Sequence, residues 1–217
     1  MIHFYQVTKT TTNQRTGSSF SLLDVTASIP CDRQVALIGH SAPDLSSFLH
    51  LVAGSEIPNR GRILRDKTRF SPIINAGDGA GNTLIKKLSP LENIEFFAGM
   101  NGIDPAHLLA VVESACGLGR LLRLPLIHLD ANERRALEVA LIAAMPYDCY
   151  LVDRLHELKE RLIWQLLHSA KSRGAGLIFT TNRVTKVARF GRIGAVLRGG
   201  TVQLFPSMNM AIVAHEQ

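Results

Sequence analysis

The order of apolar runs along the chain predicts an α/β fold with a helical insertion. Three short apolar runs, at residues 34–39, 150–153 and 176–181, are typical of buried parallel strands. A helical pattern follows each run, and this alternation favours a sheet covered by helices. A long and mainly helical stretch separates the first run from the second, so we predict that residues ~83–146 form an inserted helical subdomain.

Antiparallel strands are predicted near both ends of the chain. Residues 2–7 and 20–29 have strand patterns, and the polar, Gly-containing residues 10–19 are typical of a hairpin loop between them. This pair predicts an N-terminal antiparallel β-subdomain. Two further strands, at 193–197 and 201–205, flank a Gly-Gly turn.

Helix-boundary residues place the remaining elements. Asp130 is a suitable N-cap, Gly54 is a suitable terminator, and proline begins two of the helices. The predicted helices are 45–53, 90–101, 105–116, 132–144, 155–172 and 184–190. The Pro/Gly/Asn-rich residues 70–81 are predicted to be irregular, and residues 206–217 are too few for an accessory domain. We therefore predict one domain over residues 1–217.

The composition limits the classes of function. The net charge is +6 and the pI is about 9.5, but the basic residues are spread along the chain without aromatic residues between them. We expect no nucleic-acid binding, and a basic surface beside the inner leaflet of a membrane is the alternative use of this charge. The three cysteines and eight histidines lack metal-ligand spacing. Without a signal-peptide pattern or a membrane-spanning apolar run, we expect a cytoplasmic protein unless a membrane partner holds it.

Several phrases stand in an order that resembles a known family. A strand leads to Gly39, the phrase Leu129-Asp-Ala-Asn-Glu133 follows, and later strands end at Asp153 and at Thr181-Asn182. In this order the chain resembles an ABC-type ATPase from residue 1 to ~205. The phrase Leu88-Ser-Pro-Leu-Glu-Asn-Ile94 makes it most similar to the ATPases of capsular-polysaccharide exporters. The resemblance implies a P-loop NTPase-like core, ATP and Mg²⁺ as ligands, and a transmembrane permease as partner at the inner face of the cell membrane.

The segment between the first core strand and the first helix takes the place of the family's phosphate loop. The family pattern GxxxxGK[ST] holds phosphates with backbone N–H groups and a lysine, and it holds Mg²⁺ with Ser or Thr. Here Asp44 replaces the second glycine, Leu45 replaces the lysine, and Pro43 removes a backbone donor. A structural strand–helix turn is the alternative interpretation of this segment. The residues predicted to form a vestigial phosphate and Mg²⁺ site are Gly39, His40, Ser41, Ser46, Ser47 and Asp153, with Ser46 and Asp153 as weak Mg²⁺ ligands.

Asp153 ends an apolar strand, where the resemblance places the acid that organises magnesium. The next residue is Arg154, at the position of the glutamate that polarises the attacking water. A guanidinium cannot accept that proton, because its pKa is above about 12. An acid at a strand end is also compatible with a solvated turn or a helix cap.

Three further family positions are substituted. The signature LSGGQ, which the family presents to the partner subunit's ATP, has Asp130 in place of serine and Ala131 and Asn132 in place of the glycines. Asp130 would repel a phosphate, although a plain helix N-cap also explains this segment. Asn182 stands where the switch histidine is expected, and Ile85 aligns near the glutamine that senses the γ-phosphate.

These substitutions predict a subunit with no catalytic residues. It would act as a non-catalytic or regulatory subunit of a polysaccharide export system, as a homodimer or as a heterodimer with an active ABC ATPase. Because the loop and the signature are both altered, a regulatory or assembly role is favoured over asymmetric transport. The alternative is a divergent but working ATPase that energises polysaccharide export across the inner membrane, with a lysine supplied by Lys86, Lys87 or a partner.

Overall fold

The computed structural model describes residues 1–12, 19–77 and 83–216. Within these ranges the strands form two sheets. The strands are β1 (Ile2–Thr12), β2 (Ser19–Ile29), β3 (Gln34–Ile38), β4 (Arg60–Arg65), β5 (Phe70–Asn75), β6 (Cys149–Asp153), β7 (Gly176–Thr181), β8 (Ile193–Arg198) and β9 (Thr201–Phe205). The α-helices are α1 (Ala42–Ala53), α2 (Pro90–Asn101), α3 (Pro105–Cys116), α4 (Ala131–Ala144), α5 (Glu160–Arg173), α6 (Val184–Val187) and α7 (Met208–Glu216).

The N-terminal sheet is antiparallel, in the order β2-β1-β4. Ile2 pairs with Ile29 on one side and with Arg65 on the other, so β1 is the central strand. The predicted pairing of β1 with β2 is confirmed, and both strands extend further towards their connection than predicted. The middle of the predicted hairpin loop, residues 13–18, lies outside the described residues.

The core sheet has the order β5-β6-β7-β3-β8-β9. Its strands are parallel except for β9, which pairs with β8 in the antiparallel direction. The three apolar runs of the sequence are β3, β6 and β7, and they are the inner strands at its centre. The α/β class with an N-terminal antiparallel sheet is therefore confirmed.

Alternate residues of the central strand enter two different apolar cores. Ala36 and Ile38 of β3 pack into a core with α5 and α7. Val35 and Leu37 pack into a second core, between the core sheet, α1 and the N-terminal sheet. Because both faces of β3 are covered, its sequence is a continuous apolar run rather than an alternating one.

Helices α2, α3 and α4 share a third apolar core. Ile94, Val112 and Leu141 are fully or almost fully buried in it. Proline begins α2 and α3, as predicted, and Asp130 caps α4. The exact limits of an inserted helical subdomain, and the assignment of residues 1–217 to one domain, stay predictions.

Three predicted segments are wrong in detail. Residues 70–75 are not irregular but form β5, because β5 is an edge strand and an edge strand tolerates Pro72. The predicted helix 155–172 is broken: a 3₁₀ turn at Leu155–Glu157 and an extended Leu158 precede α5. Residues 206–217 were not predicted to be helical, but α7 forms there and packs on β8.

No α-helix in the part of the chain that the structure describes combines the length and apolarity needed to cross a bilayer.

Candidate functional site

The connection between β3 and α1 is short and is closed by a helix cap. Only residues 39–41 separate the two elements. Ser41 is the N-cap of α1: its hydroxyl accepts a hydrogen bond from the Asp44 N–H at 3.3 Å, and its carbonyl accepts one from the Leu45 N–H at 3.1 Å. The N–H groups of these two residues therefore point into the helix cap, and Pro43 has no N–H group to offer.

Leu45 is a core residue of the first helical turn. Its side chain is 1% exposed and belongs to the apolar core beneath the N-terminal sheet. Its Cδ2 atom would lie 3.2 Å from a Cβ atom placed on Gly39, so the leucine packs directly under the connection. A short apolar side chain at this position supplies packing energy and no hydrogen-bond donor.

Asp153 is the centre of a buried hydrogen-bond network at the carboxyl ends of the strands. The residue is 4% exposed. Ser46 Oγ donates to its Oδ2 atom at 2.6 Å, and Thr180 Oγ1 donates to its Oδ1 atom at 2.5 Å. Thr180 Oγ1 also accepts the backbone N–H of Arg154 at 2.7 Å. The network joins α1, β6 and β7 at the edge where parallel strands present their carboxyl ends.

The side chain of Arg154 lies along the sheet edge, beside this network. Its backbone is left-handed, with φ 57°, directly after β6. The guanidinium Nη2 atom donates to Asn75 Oδ1 at 3.1 Å, and Nε lies 4.0 Å from Asp153 Oδ2. The guanidinium also lies against the backbone of Gly77, close enough that a Cβ atom there would overlap it. Arg154 therefore fills the space at the end of β5.

The substituted signature segment is a complete capping box. Asp130 Oδ1 accepts the Glu133 N–H at 2.8 Å, and Glu133 Oε2 accepts the Asp130 N–H at 2.7 Å. Asp130, Ala131 and Asn132 are exposed at the start of α4. Among the described residues, the segment forms no hydrogen bond or ion pair with Ser46 or Asp153.

Ile85 lies in the turn before α2, away from the Asp153 network. Its N–H donates to Asn93 Oδ1 at 2.8 Å, and its side chain is 39% exposed. The turn is therefore held to α2, and within the described ranges Ile85 forms no hydrogen bond with Ser46 or Asp153.

His40 and Asn182 line a basic depression that also includes residues of α6 and α7. The depression has a volume of about 480 Å³ and includes Arg183 and Arg198. The imidazole of His40 stacks on that of His215 in α7, with the ring centroids 4.2 Å apart. Burial, more than the neighbouring His40, lowers the pKa of His215. Within the described residues, neither His40 nor Asn182 has a hydrogen bond or an ion pair with Ser46 or Asp153.

The oxygen atoms of Ser46 and Asp153 have the chemistry that Mg²⁺ prefers, and they are already in contact. Ser47 follows on the same helix turn and is half-buried. In the described ranges no group of three or more His, Cys, Asp or Glu side chains is placed to hold a metal ion. Magnesium ligation by the protein alone would therefore rest on one hydroxyl and one carboxylate.

Two residues at this sheet edge were missed in the sequence. Thr180 was assigned to a strand but given no role, although a Thr-Thr-Asn strand end at the same sheet edge was a signal for it. Asn75 was missed because residues 70–81 were predicted to be irregular, so that no neighbouring strand end was expected there.

The two sheets, the helical cluster and the Asp153 edge together define the ATPase fold of ABC transporters. A solved ATP-binding subunit of an ABC transporter superimposes with a TM-score of 0.76 and 18% identity, over 100% of both chains. The dimeric ATP-binding cassette MJ0796, in a post-hydrolysis state bound to ADP and Pi, gives a TM-score of 0.75 at 18% identity over 95% of this chain and 98% of that one. These structures show the fold.

Sequence relatives show the family. The cytochrome c biogenesis ATP-binding export protein CcmA of Rhodopseudomonas palustris is 31% identical over 169 residues, 74% of this chain and 84% of the relative. The capsule polysaccharide export ATP-binding protein CtrD of Neisseria meningitidis is 22% identical over 202 residues, 91% and 90% of the two chains. No protein-family profile matches the sequence. The chain belongs to the ATP-binding subunits of ABC transporters.

Proposed function

We propose that this chain is a non-catalytic or regulatory subunit of an ABC transporter for polysaccharide, held by a transmembrane permease at the inner face of the cell membrane. The observation that carries the proposal is Leu45, which is 1% exposed in the apolar core at the position of the family's lysine. A charge-assisted hydrogen bond contributes about 1.5–3 kcal/mol, so the loss of that lysine alone weakens phosphate binding by roughly one to two decades.

The connection before α1 supports the same proposal. The Asp44 and Leu45 N–H groups are used by Ser41, and a phosphate would have to displace this cap. Asp44 also places a carboxylate in the first helical turn, where a bound anion would be repelled. These residues do not fit a phosphate cradle, whereas Ser46 and Asp153 fit its Mg²⁺ ligands.

The residue after Asp153 supports a loss of hydrolysis. The guanidinium of Arg154 cannot act as a base, and its bond to Asn75 holds it along the sheet edge. Asp130 adds a negative charge on the surface that the family turns towards the partner's nucleotide. Because both halves of a shared site are altered, this chain would impair both sites of a mixed dimer, which favours a regulatory or assembly role.

The proposal that polysaccharide is the exported substrate rests on sequence relatives. The chain spans 90% of the capsule polysaccharide export protein CtrD, and the phrase at residues 88–94 resembles that of capsule exporters. The relative named for cytochrome c biogenesis is more identical, at 31%, over a shorter part of the chain. Co-purification from a membrane extract tests this point: a permease of the capsule-export class supports the proposal, and one of the cytochrome c biogenesis class contradicts it.

Calorimetric titration of the full chain with ATP, with and without Mg²⁺, tests the loss of nucleotide binding. We expect no saturable heat in the micromolar range, and a micromolar Kd would contradict the proposal. Leu45→Lys should strengthen binding by roughly one to two decades, whereas the matched control Leu45→Met should not. Because a lysine in the core can unfold the domain, Asp44→Gly provides a second variant that removes the repelling charge without changing a core side chain.

One contact favours a second function, a divergent but working ATPase that energises the same export. Ser46 Oγ and Asp153 Oδ2 lie 2.6 Å apart, so the two oxygens that would ligate Mg²⁺ are still neighbours. This function needs a lysine from Lys86 or Lys87, both exposed before α2, or from a partner subunit. A working ATPase should release phosphate from ATP in the presence of Mg²⁺, and the double variant Lys86→Gln, Lys87→Gln should abolish this release. The leading proposal predicts no release of phosphate by the parent protein.

A further inference from the structure

A cavity of about 790 Å³ opens at the edge of the core sheet opposite the Asp153 network. Gln34 and Ile193, which begin β3 and β8, line its floor, and α5 forms one side. Clefts of roughly 300–1,000 Å³ are the usual size of small-molecule sites. β3 has five residues, so the cavity lies about 16 Å from the connection at residues 39–41, at 3.3 Å per residue. It is therefore separate from the candidate phosphate site.

One wall of the cavity is aromatic and held in place. The indole of Trp164 meets the ring of Phe190 edge to face, with the centroids 5.4 Å apart and the planes at 82°. Its Nε1–H donates to Glu160 Oε1 at 3.0 Å. The other carboxylate oxygen of Glu160 pairs with Arg189 Nη2 at 2.6 Å, and that guanidinium lies 4.9 Å from the centre of the Phe190 ring. The Nε1–H group of Trp164 therefore already has a hydrogen-bond acceptor, Glu160, and its ring position is fixed.

The exposure of Trp164 is unusual for a residue that is so well anchored. Its side chain is 51% exposed, whereas Phe190 beneath it is 4% exposed. Tryptophan is highly buried on average, so an indole with its ring plane fixed and half of its surface open is an available stacking surface. Leu167 and Pro206 extend the apolar lining around it.

Cationic side chains line the rest of the cavity. Arg33, Lys171 and Arg192 are exposed there, and Asp32 is the acidic residue of the lining. Arg33 Nε lies 3.9 Å from Asp32 Oδ2. Over the described ranges, the structure records no ion pair and no side-chain hydrogen bond for Lys171 or Arg192. These two cations, beside a fixed aromatic wall, have the chemistry that binds an anion joined to a flat ring.

We propose that this cavity binds a small anion that carries a planar ring, of the nucleoside monophosphate class. The ring stacks on Trp164, and the phosphate pairs with Lys171 and Arg192. An inorganic anion would leave the aromatic wall unused, and an uncharged ring would leave the cations unused. A ligand with both parts uses the whole lining. This cavity shares no lining residue with the candidate phosphate site.

The sole tryptophan of the chain makes the test direct. Trp164 accounts for all of the indole emission, so its quenching reports ligand at this cavity and not at residues 39–41. We expect saturable quenching by AMP. Adenosine and inorganic phosphate should each bind roughly tenfold to a hundredfold more weakly, the loss expected when a charged hydrogen bond or a stacking contact is removed. Absence of saturable quenching by AMP, or equal binding of adenosine, would overturn the proposal.

Variants locate the binding site. Lys171→Gln with Arg192→Gln should weaken AMP binding at least about tenfold while leaving the emission of the free protein unchanged. The matched control is Arg120→Gln, which removes an exposed cation from the turn after α3 and should leave AMP binding unchanged. Trp164→Phe should also weaken binding, measured by calorimetry, and circular dichroism confirms the fold of each variant. Equal effects of the cavity and Arg120 variants would contradict the proposed site. Leu45→Lys should not alter the quenching of Trp164 by AMP. A failure of this proposal can therefore be distinguished from a failure of the proposed function, which is tested by ATP binding.

Discussion

The hydroxyl of Ser46 and the carboxylate of Asp153 lie 2.6 Å apart, although 107 residues separate them in the chain. Thr180 Oγ1 approaches the other carboxylate oxygen at 2.5 Å. Three elements that are far apart in the sequence therefore meet around one buried acid. Because an unpaired buried polar group costs free energy, this contact stabilises the edge of the sheet whether or not nucleotide binds there.

Thr180→Val should destabilise the fold. Valine has a similar shape but leaves the Asp153 oxygen without its 2.5 Å donor and the Arg154 N–H without its acceptor. Each buried group left unpaired costs about 1–3 kcal/mol. In a domain of this size each kcal/mol lowers Tm by roughly 2–4 °C, which thermal denaturation followed by circular dichroism measures.

Thr185→Val is the matched control, because Thr185 is exposed in α6. Its Tm should remain within about 1 °C of the parent protein, since surface substitutions are usually within ±0.5 kcal/mol. If Thr180→Val behaved like the control, the network around Asp153 would not contribute to stability.

The sequence predicted the meeting of Ser46 and Asp153, but only part of their surroundings. The family resemblance placed Ser46 and Asp153 in one Mg²⁺ site, and parallel strands do bring their carboxyl ends, at Gly39, Asp153 and Thr181, to one edge of the sheet. The position of Asn75 at this edge was not predicted, because Pro72 led to the prediction of an irregular segment where edge strand β5 forms. A pattern of apolar residues does not distinguish an edge strand that contains proline from an irregular loop.

The cap at Ser41 and the path of Arg154 could not be predicted either. Whether Leu45 points into the core or towards the connection depends on where α1 begins, and helix boundaries are the least certain part of a sequence-based prediction. The guanidinium of Arg154 has several rotatable bonds, and its position is set by Asn75 and Gly77, which tertiary structure brings close. Side-chain direction in such cases follows from packing and not from the local pattern.

Gly61→Ala should destabilise the N-terminal sheet strongly. Residue 61 has φ +78°, and a Cβ atom there would lie 2.3 Å from the Gln6 carbonyl oxygen and 2.4 Å from that of Tyr5. Backbone of β1 would have to move away from β4. We expect a loss of more than about 2 kcal/mol, which combines left-handed strain with the lost strand pairing, measured by urea denaturation.

Gly102→Ala distinguishes left-handed backbone strain from the loss of strand pairing. Residue 102 has a similar φ of +65°, but a Cβ atom there would meet nothing within 4 Å. This variant should lose only about 1–2 kcal/mol, the cost of a left-handed backbone. Equal losses for both variants would show that the contact with β1 is unimportant.

Burial of His156 should make stability depend on pH. Burial is the main cause that lowers its pKa below 6.5, Arg183 and Lys186 lower it further, and Glu157 opposes them. Below pH 6.5 the unfolded chain binds a proton that the folded chain resists, so this stability is present above the unfolded pKa and falls as the pH falls. The loss is at most about 1.4 kcal/mol per pH unit, measured by urea denaturation at a series of pH values.

His156→Gln should make this pH dependence shallower. Glutamine can still contact Thr181, whose hydroxyl lies 3.2 Å from His156 Nδ1, but it cannot titrate. His215, whose pKa is also lowered by burial, keeps a part of the slope in the variant. An unchanged slope would contradict the role of His156.

Cys31 should be the cysteine that alkylating reagents modify first. A hydrogen bond from Cys149, the largest cause, lowers the pKa of Cys31 to about 7, and the N-terminal ammonium adds to this effect. Burial raises the pKa of Cys116 to about 11. Burial opposes the lowering of the Cys31 pKa, and Cys31 is only 6% exposed, but it lines a cavity of about 340 Å³ beside Met1 and Asp66 through which a small reagent can reach it. Since the thiolate is the nucleophile, iodoacetamide near neutral pH should label Cys31 at least about tenfold faster than Cys116, as peptide mass spectrometry measures.

Cys149→Ala tests the cause of this reactivity. Removing the hydrogen-bond donor should raise the pKa of Cys31 and slow its labelling, because a smaller fraction is then thiolate. Cys116→Ala is the matched control: it removes a half-buried thiol in α3, which has no part in this pair, and should leave the rate at Cys31 unchanged. Faster labelling of Cys31 in Cys149→Ala would mean that Cys149 shields its neighbour from the reagent and does not activate it.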